Sequence, residues 1–135
     1  MNKRFTAKYT AKSNLPAVPK IDLVLENYAD PSKKVEGSFV IDSGADFTII
    51  GKEFRSLLDL KAQGKPFKYY DIDFEEHVND VTWVYVEIPK LNYKRSIKAA
   101  ISNNNGCNFL GRNFLNHINV FLLGTKLRYI LHVEE

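Results

Sequence analysis

The sequence predicts a mainly β domain, for three reasons. Short apolar runs rich in Val, Ile and Phe occur at residues 39–41 and 47–50, as in strands buried within a sheet. Alternation places Val84, Val86 and Ile88 on one face and Trp83 and Tyr85 on the other, and Tyr70, Ile72 and Phe74 alternate in the same way. Side chains two residues apart share one face of a strand. Polar segments with Asp, Asn, Ser, Gly and Pro separate these runs and read as turns.

Taken in order, residues 1–20 are basic (Lys3, Arg4, Lys8, Lys12, Lys20) with partial alternation over 5–10, broken by Asn14, Pro16 and Pro19. They read as an added strand, an interface arm or a partly disordered segment. Residues 21–27 form a strand, and 28–34, with Asp30-Pro31-Ser32, a turn. Residues 37–50 supply a strand, a loop at Asp42-Ser43-Gly44-Ala45 and a second strand. Apolar residues at 54, 57 and 58 predict a short helix within 52–60, ended by Gly64-Lys65-Pro66. Residues 67–102 are strands joined by polar turns, with 75–80 as a hairpin loop, 97–101 as a strand and 102–106 as an Asn-rich loop. A short apolar strand, Gly111-Arg112-Asn113, a helical turn and another strand follow within 107–121, and 126–133 alternates loosely. A chain of 135 residues suits one domain spanning 1–135 and can bury a core.

Asp42 is the informative residue. It ends an apolar strand, where a carboxylate is costly unless hydrogen-bonded, paired or put to use. Ser43 offers a hydroxyl to a neighbouring network, and Gly44 permits a sharp turn with backbone close to a ligand. The arrangement suggests a carboxylate held at the floor of a cleft.

Two segments together carry a resemblance. Val40-Ile41 enters Asp42-Ser43-Gly44-Ala45-Asp46, and near the chain's end Phe109-Leu110 precedes Gly111-Arg112-Asn113 and then Phe114-Leu115. In order and spacing this resembles the retropepsin-like aspartic proteases, the single-domain family that includes the retroviral proteases. The resemblance implies a small closed β-barrel with one short C-terminal helix, active as a symmetric dimer. It implies that Asp42 is the catalytic carboxylate and that Ser43, in place of the usual Thr, locks the two active-site loops together. Gly44, Ala45 and Asp46 would meet substrate backbone, and Arg112 would support the loop by pairing with Asp46. A guanidinium fork matches a carboxylate in two parallel hydrogen bonds.

Aspartic proteolysis of this kind needs two carboxylates sharing a proton, one acting as base toward water and the other polarising the scissile carbonyl. The chain holds one Asp-Ser-Gly and no second copy; Asp59-Leu60-Lys61 and Asp71-Ile72-Asp73 lack the Ser/Thr-Gly. A homodimer joining two copies of Asp42 across a two-fold axis is therefore expected, with a peptide or protein as substrate. The family covers its cleft with a hairpin flap, placed here at about residues 67–88 with its tip near 75–80. Retroviral flaps carry tip glycines, whereas this chain has none between Gly64 and Gly106. The segment therefore reads either as a stiffer, acidic flap or as an ordinary solvated hairpin.

Other chemistries find little support. His77, His117 and His132 are scattered, and the single Cys107 gives neither zinc spacing nor an intrachain disulfide. Cys107 reads as a small buried residue. No nucleotide-binding glycine loop appears, and no cofactor or metal is expected. An apolar run near 20 residues is lacking, as is an apolar core in residues 1–20, so a cytoplasmic protein without membrane contact is expected. The formal net charge of +3, with a pI near 8.9, falls short of the basic stripe of a nucleic-acid binder. Exposed aromatics such as Phe67, Tyr69, Tyr70 and Trp83 keep single-strand binding as a minor alternative. A second alternative is a retropepsin-like dimerisation or peptide-binding module with weak or no proteolysis.

Overall fold

The computed structural model describes residues 3–134, and for Lys12 the backbone alone. The strands are β1 (Lys3–Lys8), β2 (Thr10–Lys12), β3 (Leu15–Val18), β4 (Lys20–Asn27), β5 (Lys34–Ile41), β6 (Ile49–Ile50), β7 (Phe67–Tyr70), β8 (Glu76–Asn79), β9 (Val81–Ile88), β10 (Tyr93–Ile101), β11 (Phe109–Leu110), β12 (Asn119–Leu123) and β13 (Arg128–Val133). Two short helices, α1 (Glu53–Leu57) and α2 (Arg112–Leu115), complete the framework. The expected mainly β architecture with a short C-terminal helix is observed. The basic N-terminal segment is an added strand followed by a bulged two-stranded ribbon, β2–β3.

Six strands close into a barrel in the order β10-β6-β11-β5-β4-β9. Period-two alternation builds it. Ile21, Leu23 and Leu25 of β4 and Val84, Val86 and Ile88 of β9 are buried, while Asp22 and Trp83 face outward. Burial of each aliphatic side chain contributes about 1.5–3 kcal/mol. Gly37 of β5 leaves room for Phe54 of α1: a Cβ at Gly37 would lie 2.7 Å from that ring.

A second sheet has the order β1-β13-β12. Phe5, Ala7 and Val120 pack on the barrel core together with buried Tyr129, Leu131 and Val133. The Tyr129 hydroxyl donates to the Lys20 carbonyl at 2.8 Å, joining this sheet to β4. Among the described residues, no helix is long and apolar enough to cross a membrane.

Candidate active site

The two motif segments meet side by side. β5 and β11 pair in parallel, Val40 with Phe109 and Ile41 with Leu110, so Asp42 and Gly111 leave the sheet together. The Asp42 N–H donates to the Leu110 carbonyl at 3.0 Å. The chain then turns, with the Ala45 N–H donating to the Asp42 carbonyl at 3.1 Å and the Gly44 N–H to Asp42 Oδ1 at 3.0 Å. That N–H orients the carboxylate. Asp42 is half-buried, while Ser43 and Gly44 are exposed.

Arg112 clamps the loop from the other segment. Its backbone N–H donates to the Ala45 carbonyl at 2.8 Å and its Nη1 to the Ser43 carbonyl at 3.0 Å. Its Nη2 pairs with Asp46 Oδ1. The guanidinium thus spans Ser43 and Asp46. Because the Asp46 side chain is 80% exposed, solvent screens this pair and its value lies in geometry. Ser43 contributes its carbonyl to this clamp. Gly44 does not adopt a left-handed conformation; its role is space, since a Cβ there would lie 3.3 Å from Asp42 Oδ1.

Beneath the loop is a network the sequence reading did not single out. Buried Thr48 donates from its N–H (2.9 Å) and its hydroxyl (2.7 Å) to Asn113 Oδ1. Its hydroxyl accepts from the Gly111 N–H at 3.0 Å. Asn113 Nδ2 donates to the Lys98 carbonyl at 2.7 Å. Three elements are therefore tied at the root of the site. The one sequence signal was a Thr inside the apolar run Phe47-Thr48-Ile49-Ile50, where a buried hydroxyl needs a partner.

The hairpin expected over the site is β7–β8, and its tip differs from the prediction. The turn lies at residues 71–75, while residues 76–79 are strand. Ile72 and Phe74, read as strand positions, belong to the turn and are 92% and 87% exposed. Asp71 explains the shift: its Oδ1 accepts from the N–H groups of Asp73 (2.9 Å) and Glu75 (3.0 Å). This side-chain cap replaces the tip glycine. Phe74 takes the left-handed conformation at φ 59°.

Asp71 Oδ2 also lies 2.8 Å from His77 Nε2, and that contact, the largest influence, holds the Asp71 carboxyl below its ordinary range. Asp71, Glu75 and His77 bring ligand-type atoms within 4.8 Å of one another; the hydrogen bonds at Asp71 account for the group as a turn cap. At the hairpin's root Phe67 stacks on Phe47 with centroids 4.6 Å apart, and Tyr69 stacks on Phe67 at 5.8 Å and on His77 at 4.9 Å. A row of rings thus leads from the residue after Asp46 to the turn.

Phe47, Ile49 and Phe109, expected to line specificity pockets, are half-buried beside the loop. Cys107, expected to be buried, is only partly so. It lies in the loop before β11, held at the neighbouring Asn108 through a 2.6 Å bond from the Gly51 N–H to Asn108 Oδ1.

No protein-family model and no curated protein matches the sequence. Among solved structures, the chain is similar to a retropepsin-like aspartic protease from Rickettsia conorii, with 16% identity, a TM-score of 0.64 and coverage of 98% of this chain and 93% of that one. It is also similar to the EIAV protease complexed with the inhibitor HBY-793, with 16% identity, a TM-score of 0.52 and coverage of 78% and 92%. The class is that of the retropepsin-like fold, and this chain has that fold.

Proposed function

We propose that the protein is an aspartic endopeptidase, complete only as a homodimer. The observation that carries this reading is the Asp42 loop: a half-buried carboxylate oriented by the Gly44 N–H and clamped by Arg112, on a retropepsin-like fold. Each chain supplies a single Asp-Ser-Gly, so two copies would bring their Asp42 carboxylates together. Two carboxylates at close range cannot both ionise easily. One would remain charged and take a proton from water; the other would stay protonated and polarise the scissile carbonyl. The loop at Gly44, Ala45 and Asp46, exposed at Gly44 and Asp46, would hold substrate backbone, and Ser43 would lie where the two loops meet.

Digestion of a peptide library tests the proposal. The parent should cleave at acidic to mildly acidic pH, with inhibition by pepstatin-type compounds. Asp42→Asn should lower the rate by about a thousandfold or more, the range of a lost acid–base pair. Full cleavage by that variant would sink the reading. One observation favours a second reading, a peptide-binding module without proteolysis: the hairpin tip is capped by Asp71 and lacks glycine. Peptide binding that persists in Asp42→Ala, with no cleavage by the parent, would support that alternative.

A further inference from the structure

Trp83 stands on the flank of the barrel between two hollows that differ in charge. One, of about 210 Å³, has Lys33 and Lys61 on its wall together with Asp30 and Asp59, and Lys33 is spent on Asp59 at 3.1 Å. The other is open, about 350 Å³ in volume, with Phe47, Trp83, Arg95, Lys98, Asn113 and His117 on its wall and no Asp or Glu. Arg95 and Lys98 are exposed, and among the described residues neither pairs with a carboxylate. The Lys98 ammonium lies over the Trp83 ring, 5.6 Å from its centroid. The Arg95 charge reaches His117, whose imidazole is held below its ordinary value by desolvation first and by Arg95 second.

This hollow follows an open side of β10. That side carries the Lys98 carbonyl, which accepts from Asn113, and the Ala100 N–H, which donates to the Thr48 carbonyl. Strand β6 covers it at Ala100 and Ile101 alone, so among the described residues no strand pairs with it over 93–98. Open strand edges accept extended peptides. Arg95 and Lys98 lie an odd number of positions apart and lean to opposite faces, one on either side of such an occupant.

We propose that this hollow is an exosite that holds an acidic segment of the peptide substrate, away from the bond to be cut. The proposal rests on the endopeptidase reading and adds a charge preference to it. Continuity with the site places the occupant: Phe47 follows Asp46 of the Asp42 loop, and Asn113 follows the Arg112 that clamps that loop. Charge selects it, since two cations without carboxylate partners attract acidic segments and repel basic ones. A single-stranded nucleic acid would also seek cations beside an exposed ring. Two cations and one ring fall short of a tract that follows successive phosphates.

A library peptide that the parent cleaves, extended at both ends with short runs of Glu or of Gln, tests the proposal at about pH 5.5, where carboxylates are charged. In the parent, the Glu form should show a KM about tenfold below that of the Gln form at similar kcat, because two screened ion pairs contribute up to about fivefold each. The preference should fade in about 1 M salt. It should vanish in Arg95→Gln with Lys98→Gln and invert in Arg95→Glu with Lys98→Glu. The ratio is read within each protein, so a general loss of rate in a variant does not disturb it. Equal KM values for both forms in the parent, with cleavage dependent on Asp42, overturn the exosite and leave the endopeptidase reading intact. A Glu preference that survives the charge reversal also overturns it. If the parent cleaves nothing, the endopeptidase reading fails, and fluorescence anisotropy of the labelled peptides decides the hollow alone. Glu-selective binding lost in the reversal then supports it, and its absence sinks it. Oligothymidylate held through Arg95 and Lys98, with no difference between the peptides, assigns the hollow to nucleic acid instead.

Discussion

A methyl group at Gly111 would lie 2.5 Å from the carbonyl carbon of Phe47, 2.6 Å from its oxygen and 2.9 Å from the Thr48 nitrogen. All three are backbone atoms that cannot swing aside. The backbone at Gly111 has φ −93°, open to any residue, so glycine is required there for close approach alone. Gly111→Ala should force the Phe47–Thr48 segment away from α2 and cost about 1–3 kcal/mol, the usual range for overpacking, as read from urea unfolding. Cleavage should fall with it, because the displaced segment carries the Asp42 loop. A variant with parental stability would show that the segment yields freely. The motif Gly111-Arg112-Asn113 was recognisable in the sequence, but this reason for its glycine was not: the atoms it must avoid lie 63 and 64 positions away. The partnership of Thr48 with Asn113 was hidden in the same way, across a separation of 65 positions.

Among the elements, the β7–β8 hairpin shows how a local device displaced a pattern. Alternation of Tyr70, Ile72 and Phe74 pointed to a strand, yet the Asp71 carboxylate captures two backbone N–H groups and turns the chain there. Asp71 is held below the ordinary carboxylate range, chiefly by its bond to His77. A depressed folded value means that the cap's contribution is present above the usual value of about 3.9 and lost as pH falls through the lower folded one. The amide resonances of Asp73 and Glu75 should therefore titrate together with a midpoint below that usual value. In Asp71→Asn this titration should vanish. A midpoint at or above the usual value would mean that the cap does not hold the charged carboxylate. For β4, β9 and the strand entering Asp42, pattern and structure agree because their alternation is enforced by burial, which no single side chain overrides.

For the whole molecule, Tyr129 connects the two sheets. It is 1% exposed, packs against Phe5 and Tyr9 with centroids 6.1 and 6.4 Å away, and bonds to Lys20 of the barrel. Burial, the main cause, pushes its phenol up to about 12. A raised folded value means that its contribution is full below the unfolded value near 10. The contribution is then lost as pH rises toward 12. Tyr129→Phe should destabilise the protein by about 1–2 kcal/mol through the orphaned carbonyl and should remove that alkaline slope from denaturant titrations. An unchanged slope would assign it to another group.

Local order was therefore readable from residues alone: alternating strands, the loop at Asp42, the Gly-Arg-Asn segment near the end, and the likeness these carry together. Burial and turn chemistry act over a few neighbouring positions and leave a periodic trace. Contacts across the chain leave none. Only the folded molecule could decide that β5 and β11 run in parallel, that Arg112 reaches the Ser43 carbonyl as well as Asp46, that Asp71 moves the hairpin turn, and that β12, among the described residues, pairs on one side alone. Each depends on which distant segments share a sheet, and closure of the barrel selects that pairing.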